Sequence, residues 1–165
     1  MVFSFDNPLF QRGMTWSECK ETWLPQRDRF LQYALQAELL TETFQAMATM
    51  GYNRMAIVFN PMSTDSLMSL PFIGKTLNLK ESLQVRYFDF TWFFPVFFPH
   101  LDRKVPQLLV LKDDGSMRAS WGPRPQSITE KMPGGRAADS WLTSWNEENY
   151  RLALDASVAR FLLEL

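Results

Sequence analysis

Residues 105–122 read VPQLLVLKDDGSMRASWG, and the fold is decided there. Gln107 to Lys112 is a short, nearly continuous apolar run, the pattern of a strand covered on both faces. Asp113-Asp114-Gly115 follows it as a hairpin turn signal, so Ser116 to Trp121 should be an antiparallel return strand. Upstream, Arg54 to Asn60 (RMAIVFN) is another run of the buried-strand type, and Leu83 to Asp89 (LQVRYFD) reads as one more strand. Between them, Thr64 to Asn78 has helical spacing, with Leu67, Leu70, Ile73 and Leu77 on one side. Pro71 falls inside that helix and is expected to kink it. A strand–helix–strand crossover followed by a hairpin describes a mixed sheet of about four strands in an α/β fold, with helices on both faces.

The flanking segments are mostly helical in pattern. Met1 to Gly13 reads as an irregular arm. Thr15-Trp16-Ser17-Glu18 has capping-box spacing and should open a short helix ending near Pro25. From Gln26 to Met50, apolar residues recur at Phe30, Tyr33, Ala34, Ala37, Leu40, Phe44, Met47 and Ala48. A break is expected near Thr41, with Thr41 as N-cap, and Gly51 stands where a C-cap glycine would. Thr91 to Leu101 reads as a distorted helix and Gln126 to Lys131 as a helix. After the loop Pro133-Gly134-Gly135 the pattern is helical from near Ala137 to Leu163. With no linker or repeat, the 165 residues read as one domain: an arm and helices over 1–50, a core over 53–132, and a C-terminal helix over 136–165.

Composition excludes several classes. The formal net charge of −1 leaves no excess of Lys and Arg to neutralise a phosphate backbone, so no nucleic acid partner is expected. One cysteine, Cys19, and one histidine, His100, cannot supply most of the ligands of a zinc site, and no intramolecular disulfide is possible. No cofactor or metal is expected. The N-terminus lacks the basic-then-apolar order of a signal peptide. The most apolar stretch, Trp92 to Phe98, is too short to cross a bilayer and contains Pro95. The expectation is a cytoplasmic protein with no membrane partner.

Two stretches carry a resemblance to the thioredoxin-like family. Val105 to Gly122 resembles the segment with the cis-proline, a strand, and the turn into an edge strand that ends in a glycine. Asn60-Pro61-Met62-Ser63-Thr64-Asp65-Ser66 follows a buried strand as that family's active-site motif does, and Pro71 lies eight residues after Ser63, as the family's kink proline lies after its first cysteine. Trp121-Gly122-Pro123-Arg124-Pro125, Met14-Thr15-Trp16 and the long C-terminal helix are similar to a bacterial branch with extra terminal helices and a Trp-Cys-Gly-Asp type motif. The chain departs from that branch at the chemistry. Ser63 stands at the first cysteine position and Ser66 at the resolving one, and a serine hydroxyl neither ionises near neutral pH nor forms a mixed disulfide.

The resemblance implies a cis Val105–Pro106 bond beside a groove formed by Met62, Ser63, Thr64, Val105, Pro106 and Gly122, with Asp65, Ser66 and Arg124 around it. Such a groove could take an extended peptide by strand addition without any cysteine. The residues also have plainer readings. Ser63 and Asp65 suit the start of a helix, one as cap and one as first-turn carboxylate. Arg124 could pair with a buried carboxylate or sit at the groove rim, and Cys19 reads as core packing. A Ser63–His100 nucleophile pair lacks an acidic orienter. Aromatics at 92, 93, 94, 97 and 98 either pack beneath the extra helices or form a surface for a partner or homodimer. The leading expectation is a redox-inactive thioredoxin-like protein binding a peptide, protein or small ligand. The rival is a thiol–disulfide enzyme using Cys19 or a partner's thiol.

Overall fold

A computed structural model describes residues 5–23, 26–91, 104–130 and 147–165. The elements are α1 (Asn7–Gln11), α2 (Trp16–Glu21), α3 (Arg27–Gln36), α4 (Thr41–Met47), β1 (Arg54–Phe59), α5 (Thr64–Leu77), β2 (Gln84–Asp89), β3 (Gln107–Leu111), β4 (Met117–Trp121), α6 (Gln126–Thr129) and α7 (Glu147–Leu163). The strands form one mixed sheet in the order β2-β1-β3-β4. β1 and β2 are parallel, joined through α5, while β3 runs antiparallel to both β1 and β4. The turn between β3 and β4 reverses at Gly115, whose φ is +80°.

Both faces of the two inner strands are covered, which explains their unbroken apolar sequences. Alternate residues divide between two cores. Met55, Ile57 and Phe59 of β1 join Val85, Tyr87, Leu108 and Val110 in the larger cluster, with Leu67, Leu70 and Ile73 of α5 and Tyr150, Leu154 and Val158 of α7. Ala56 and Val58 join Phe88, Leu109 and Leu111 in the smaller one, closed by Phe5 and Phe10. Trp23 anchors the larger core, stacked between Phe30 and Phe59 at centroid distances of 4.1 and 5.3 Å.

The N-terminal segment is therefore not an irregular arm. Asp6 accepts a hydrogen bond from the Leu9 amide at 3.0 Å and caps α1, which Pro8 helps to start. Five residues are too few to show a helical period, so the pattern hid this helix. Further along, Met14 exchanges two backbone hydrogen bonds with Tyr87 on the outer side of β2, at 2.8 and 2.9 Å.

The Thr15–Glu18 capping box is present. The break between α3 and α4 also falls where the sequence places it, but its capping differs. Leu40, not Thr41, is the N-cap residue, and its side chain caps nothing. The exposed amides of α4 are instead met by the buried carboxylate of Asp155 on α7, which accepts from Glu42 N at 3.1 Å and Thr43 N at 2.8 Å. Nor does Gly51 end α4. Ala48 is the C-cap residue, and the last-turn carbonyls of Ala46 and Met47 receive the Thr49 hydroxyl and the Lys80 ammonium. With side chains meeting those carbonyls, no left-handed glycine is needed. Helix α5 continues through Pro71. The Trp92–Phe98 segment, His100, Pro133-Gly134-Gly135 and the expected helix start near Ala137 lie outside the described residues.

Because Asp155 lies on a different helix from the amides it caps, its loss should be felt globally. Asp155→Ala should lower unfolding stability by roughly 1–3 kcal/mol in urea titration, the range for a charge-assisted cap that is partly shielded from water. Asp155→Asn, which keeps one acceptor oxygen, should cost less.

Candidate functional site

Four pieces of backbone meet at one end of the sheet: the exit of β1, the start of α5, the entry of β3 and the exit of β4. The pairings Val58↔Gln107 and Leu108↔Trp121 bring them together. The turn from β1 into α5 is built by Asn60. Its carbonyl accepts from Ser63 N at 2.9 Å, its side-chain oxygen accepts from Met62 N at 2.9 Å, and its own amide donates to Ser66 Oγ at 3.3 Å. This side-chain mimic of a turn holds Met62 outward, 62% exposed.

Ser63 is the N-cap of α5, with extended φ and ψ, and its Oγ accepts from Ser66 N at 3.3 Å. The same hydroxyl donates to the Val105 carbonyl at 3.3 Å. The Val105–Pro106 peptide is cis. Ser66 is fully buried, so its hydroxyl faces the Asn60 amide and not solvent. Thr64 opens the helix behind Ser63, half-buried.

Gly122 closes the far side. Its φ is +129°, a region that L side chains rarely adopt, and a Cβ placed there would lie 2.1 Å from the Pro106 carbonyl oxygen. The following Gly122–Pro123 peptide is also cis, which the sequence reading passed over although a Gly-Pro step marks the place. Arg124 then turns back to the start of α5 and ion-pairs with Asp65, both side chains being less than one-fifth exposed. Of the two sequence readings of Arg124, the structure shows the pairing with a carboxylate. Met62, Ser63, Thr64, Asp65, Ser66, Val105, Pro106, Gly122 and Arg124 thus gather at one end of the sheet.

Two further residues hold this end together, and nothing in the sequence singled them out. Tyr150 of α7 shares a 2.7 Å hydrogen bond with Ser69 of α5. Burial pushes its phenol well above the ordinary tyrosine range, the Ser69 hydrogen bond opposing it in part, while the Asp65 and Arg124 charges act in opposite directions. Ser157, two turns further along α7, accepts from the Trp121 indole at 2.9 Å.

Cys19 is not part of this arrangement. It is fully buried on α2 in the larger core. Burial pushes its thiol far above the ordinary range, and the Asp89 carboxylate adds to that. A group that stays a thiol is a poor nucleophile. Among the described residues, no three His, Cys, Asp or Glu side chains gather in a way that could hold a metal ion. No helix among them is long and apolar enough to cross a membrane.

The fold has solved counterparts. A protein of unknown function from Pseudomonas aeruginosa superposes with a TM-score of 0.73 over 96% of this chain and 97% of that one, at 14% identity. An HIV 4E10 epitope-scaffold superposes with a TM-score of 0.69 over 95% and 96%, at 17% identity. At such identities the likeness is one of fold. No protein-family model and no curated protein sequence matches the chain.

Two glycines make a matched test of the tight contact. Gly122→Ala should cost about 3 kcal/mol or more in denaturant unfolding, because both the conformation and the space forbid a Cβ. Gly51→Ala, where a Cβ meets nothing within 4 Å, should stay within about 0.5 kcal/mol.

Proposed function

We propose that this protein is a thioredoxin-like domain that lacks the paired cysteines and serves as a redox-inactive binding protein. It would take an extended peptide, protein partner or small ligand at the groove beside Pro106. The observation that carries the proposal is the placement of Ser63. A hydroxyl caps α5, 3.3 Å from the carbonyl that precedes the cis-proline, where the family resemblance expects a cysteine. The sheet order β2-β1-β3-β4, with a helical crossover between parallel β1 and β2 and a hairpin after the cis bond, supports the family reading. The intact Trp121-Gly122-Pro123-Arg124-Pro125 stretch supports it too.

The rival reading as a thiol enzyme would have to use Cys19 or a partner's thiol. The depth of Cys19 and its unreactive protonation state speak against the first. Binding at the groove would use exposed Met62 as an apolar contact and the Val105 backbone for strand addition. Because the Val105 carbonyl already accepts from Ser63, an incoming strand would share or displace that hydrogen bond.

An insulin-reduction assay with dithiothreitol separates the readings. The protein should add no turnover above the reagent alone, and Cys19→Ser should behave identically. Catalysis by the purified protein that vanishes in Cys19→Ser would transfer the assignment to a thiol enzyme. Catalysis that persists in that variant, with contaminating enzyme excluded, would defeat the redox-inactive reading altogether.

A further inference from the structure

A second concavity lies away from the groove, between α2, α3 and the C-terminal half of α5. Lys75 is eleven residues beyond Thr64 on α5, roughly 16 Å along the helix axis. The cleft is about 310 Å³ and is lined by Trp16, Lys20, Leu31, Ala34, Leu35 and Lys75, at the small end of the range for ligand pockets.

Its floor is rigid. The Trp16 ring packs so closely on α5 that a Cβ at Gly74 would come within 2.4 Å of it, and Phe30 and Tyr87 hold it from other sides at 5.9 and 5.4 Å. Its wall is apolar and wet: Leu35 is 83% exposed, the largest exposure among the large apolar residues described. Its rim is cationic. The Lys20 ammonium stands over the Trp16 ring at 5.7 Å. Lys75 gives one hydrogen to the Ala37 carbonyl at 2.6 Å, at the C-terminus of α3, and an ammonium has two more to offer. Neither lysine forms an ion pair among the described residues.

We infer that this cleft binds an apolar monocarboxylate, a molecule of medium-chain fatty-acid size. Its hydrocarbon would lie on Trp16, Leu31, Ala34 and Leu35, and its carboxylate would face Lys20 and Lys75. An aromatic floor, an exposed leucine and two cations outside any ion pair among the described residues complement a ligand that is apolar at one end and anionic at the other. A neutral apolar ligand would gain no charge-assisted hydrogen bond from the two ammoniums, and a purely ionic one would leave Leu35 in water. The inference does not depend on the reading of the groove, since no residue is shared between the two.

The test is calorimetric titration of the full chain with octanoate, with octanol as the uncharged comparison. Saturable binding of one octanoate per chain is expected, with octanol weaker by at least about five-fold. Leu35→Asn, a change at a solvent-exposed position that leaves the core alone, should weaken octanoate binding several-fold. Lys20→Gln should weaken octanoate but not octanol, and Ala34→Phe should fill the cleft and abolish both. Absence of saturable heat up to about 10 mM octanoate would overturn the inference. Equal affinity for octanoate and octanol would overturn the carboxylate assignment, and binding unchanged in Leu35→Asn and Ala34→Phe would place the ligand elsewhere. None of these results bears on insulin reduction, so each proposal can fail by itself.

Discussion

The carbonyl of Pro106 lies where a side chain at position 122 would have to be, and the geometry of this end of the sheet follows from that approach. Only glycine permits it. Once β4 ends against the Pro106 carbonyl, the next residues turn back over the start of α5, where Arg124 meets Asp65. The same stretch of chain presents the Val105 carbonyl to Ser63. One close backbone contact therefore links the entry of β3, the exit of β4 and the first turn of α5. At these junctions the Ser63 hydroxyl meets the Val105 carbonyl, the Ser66 hydroxyl meets the Asn60 amide, and Arg124 meets Asp65, which offsets much of the cost of burying them.

Helix α7 secures that arrangement from behind. Tyr150 bonds to Ser69 on α5, Ser157 to the Trp121 indole at the end of β4, and Asp155 to the first amides of α4. About two turns of one helix thus reach the helix that starts the site, the strand that ends it, and the N-terminal layer. Lys75 in the last turn of α5 and Lys80 just beyond it reach back to the C-terminal carbonyls of α3 and α4, where cations are favoured by the helix dipole. The additional helices are attached to the sheet by specific polar contacts as well as by apolar area.

What was legible in the sequence was what depends on neighbours close along the chain. The strands at 54–59, 84–89, 107–111 and 117–121 announce themselves through apolar runs and the Asp-Asp-Gly turn, and the capping box through its spacing. The gathering of Met62, Ser63 and Asp65 with Val105, Gly122 and Arg124 joins segments about forty to sixty positions apart, which periodicity alone does not connect. What was hidden depends on residues far apart. Asp155 caps a helix more than a hundred positions away, so Thr41 looked like the cap. Helix α1 was too short to show a period, though Asp6 and Pro8 are both start signals. The Cys19 thiol illustrates the converse: a single residue type suggests chemistry, and its burial removes it.

We propose that Ser63 puts a hydroxyl where a thiol-chemistry scaffold would carry its nucleophile. Installing the thiol tests it directly, by following the reaction of native Ser63→Cys with a disulfide reagent as a function of pH. The account predicts no fast-reacting thiol in the parent protein and a single one in the variant, titrating below an ordinary cysteine because a helix N-terminus favours the thiolate. A variant thiol that stays unreactive until the protein is unfolded, or one that titrates at or above the ordinary value, would contradict it.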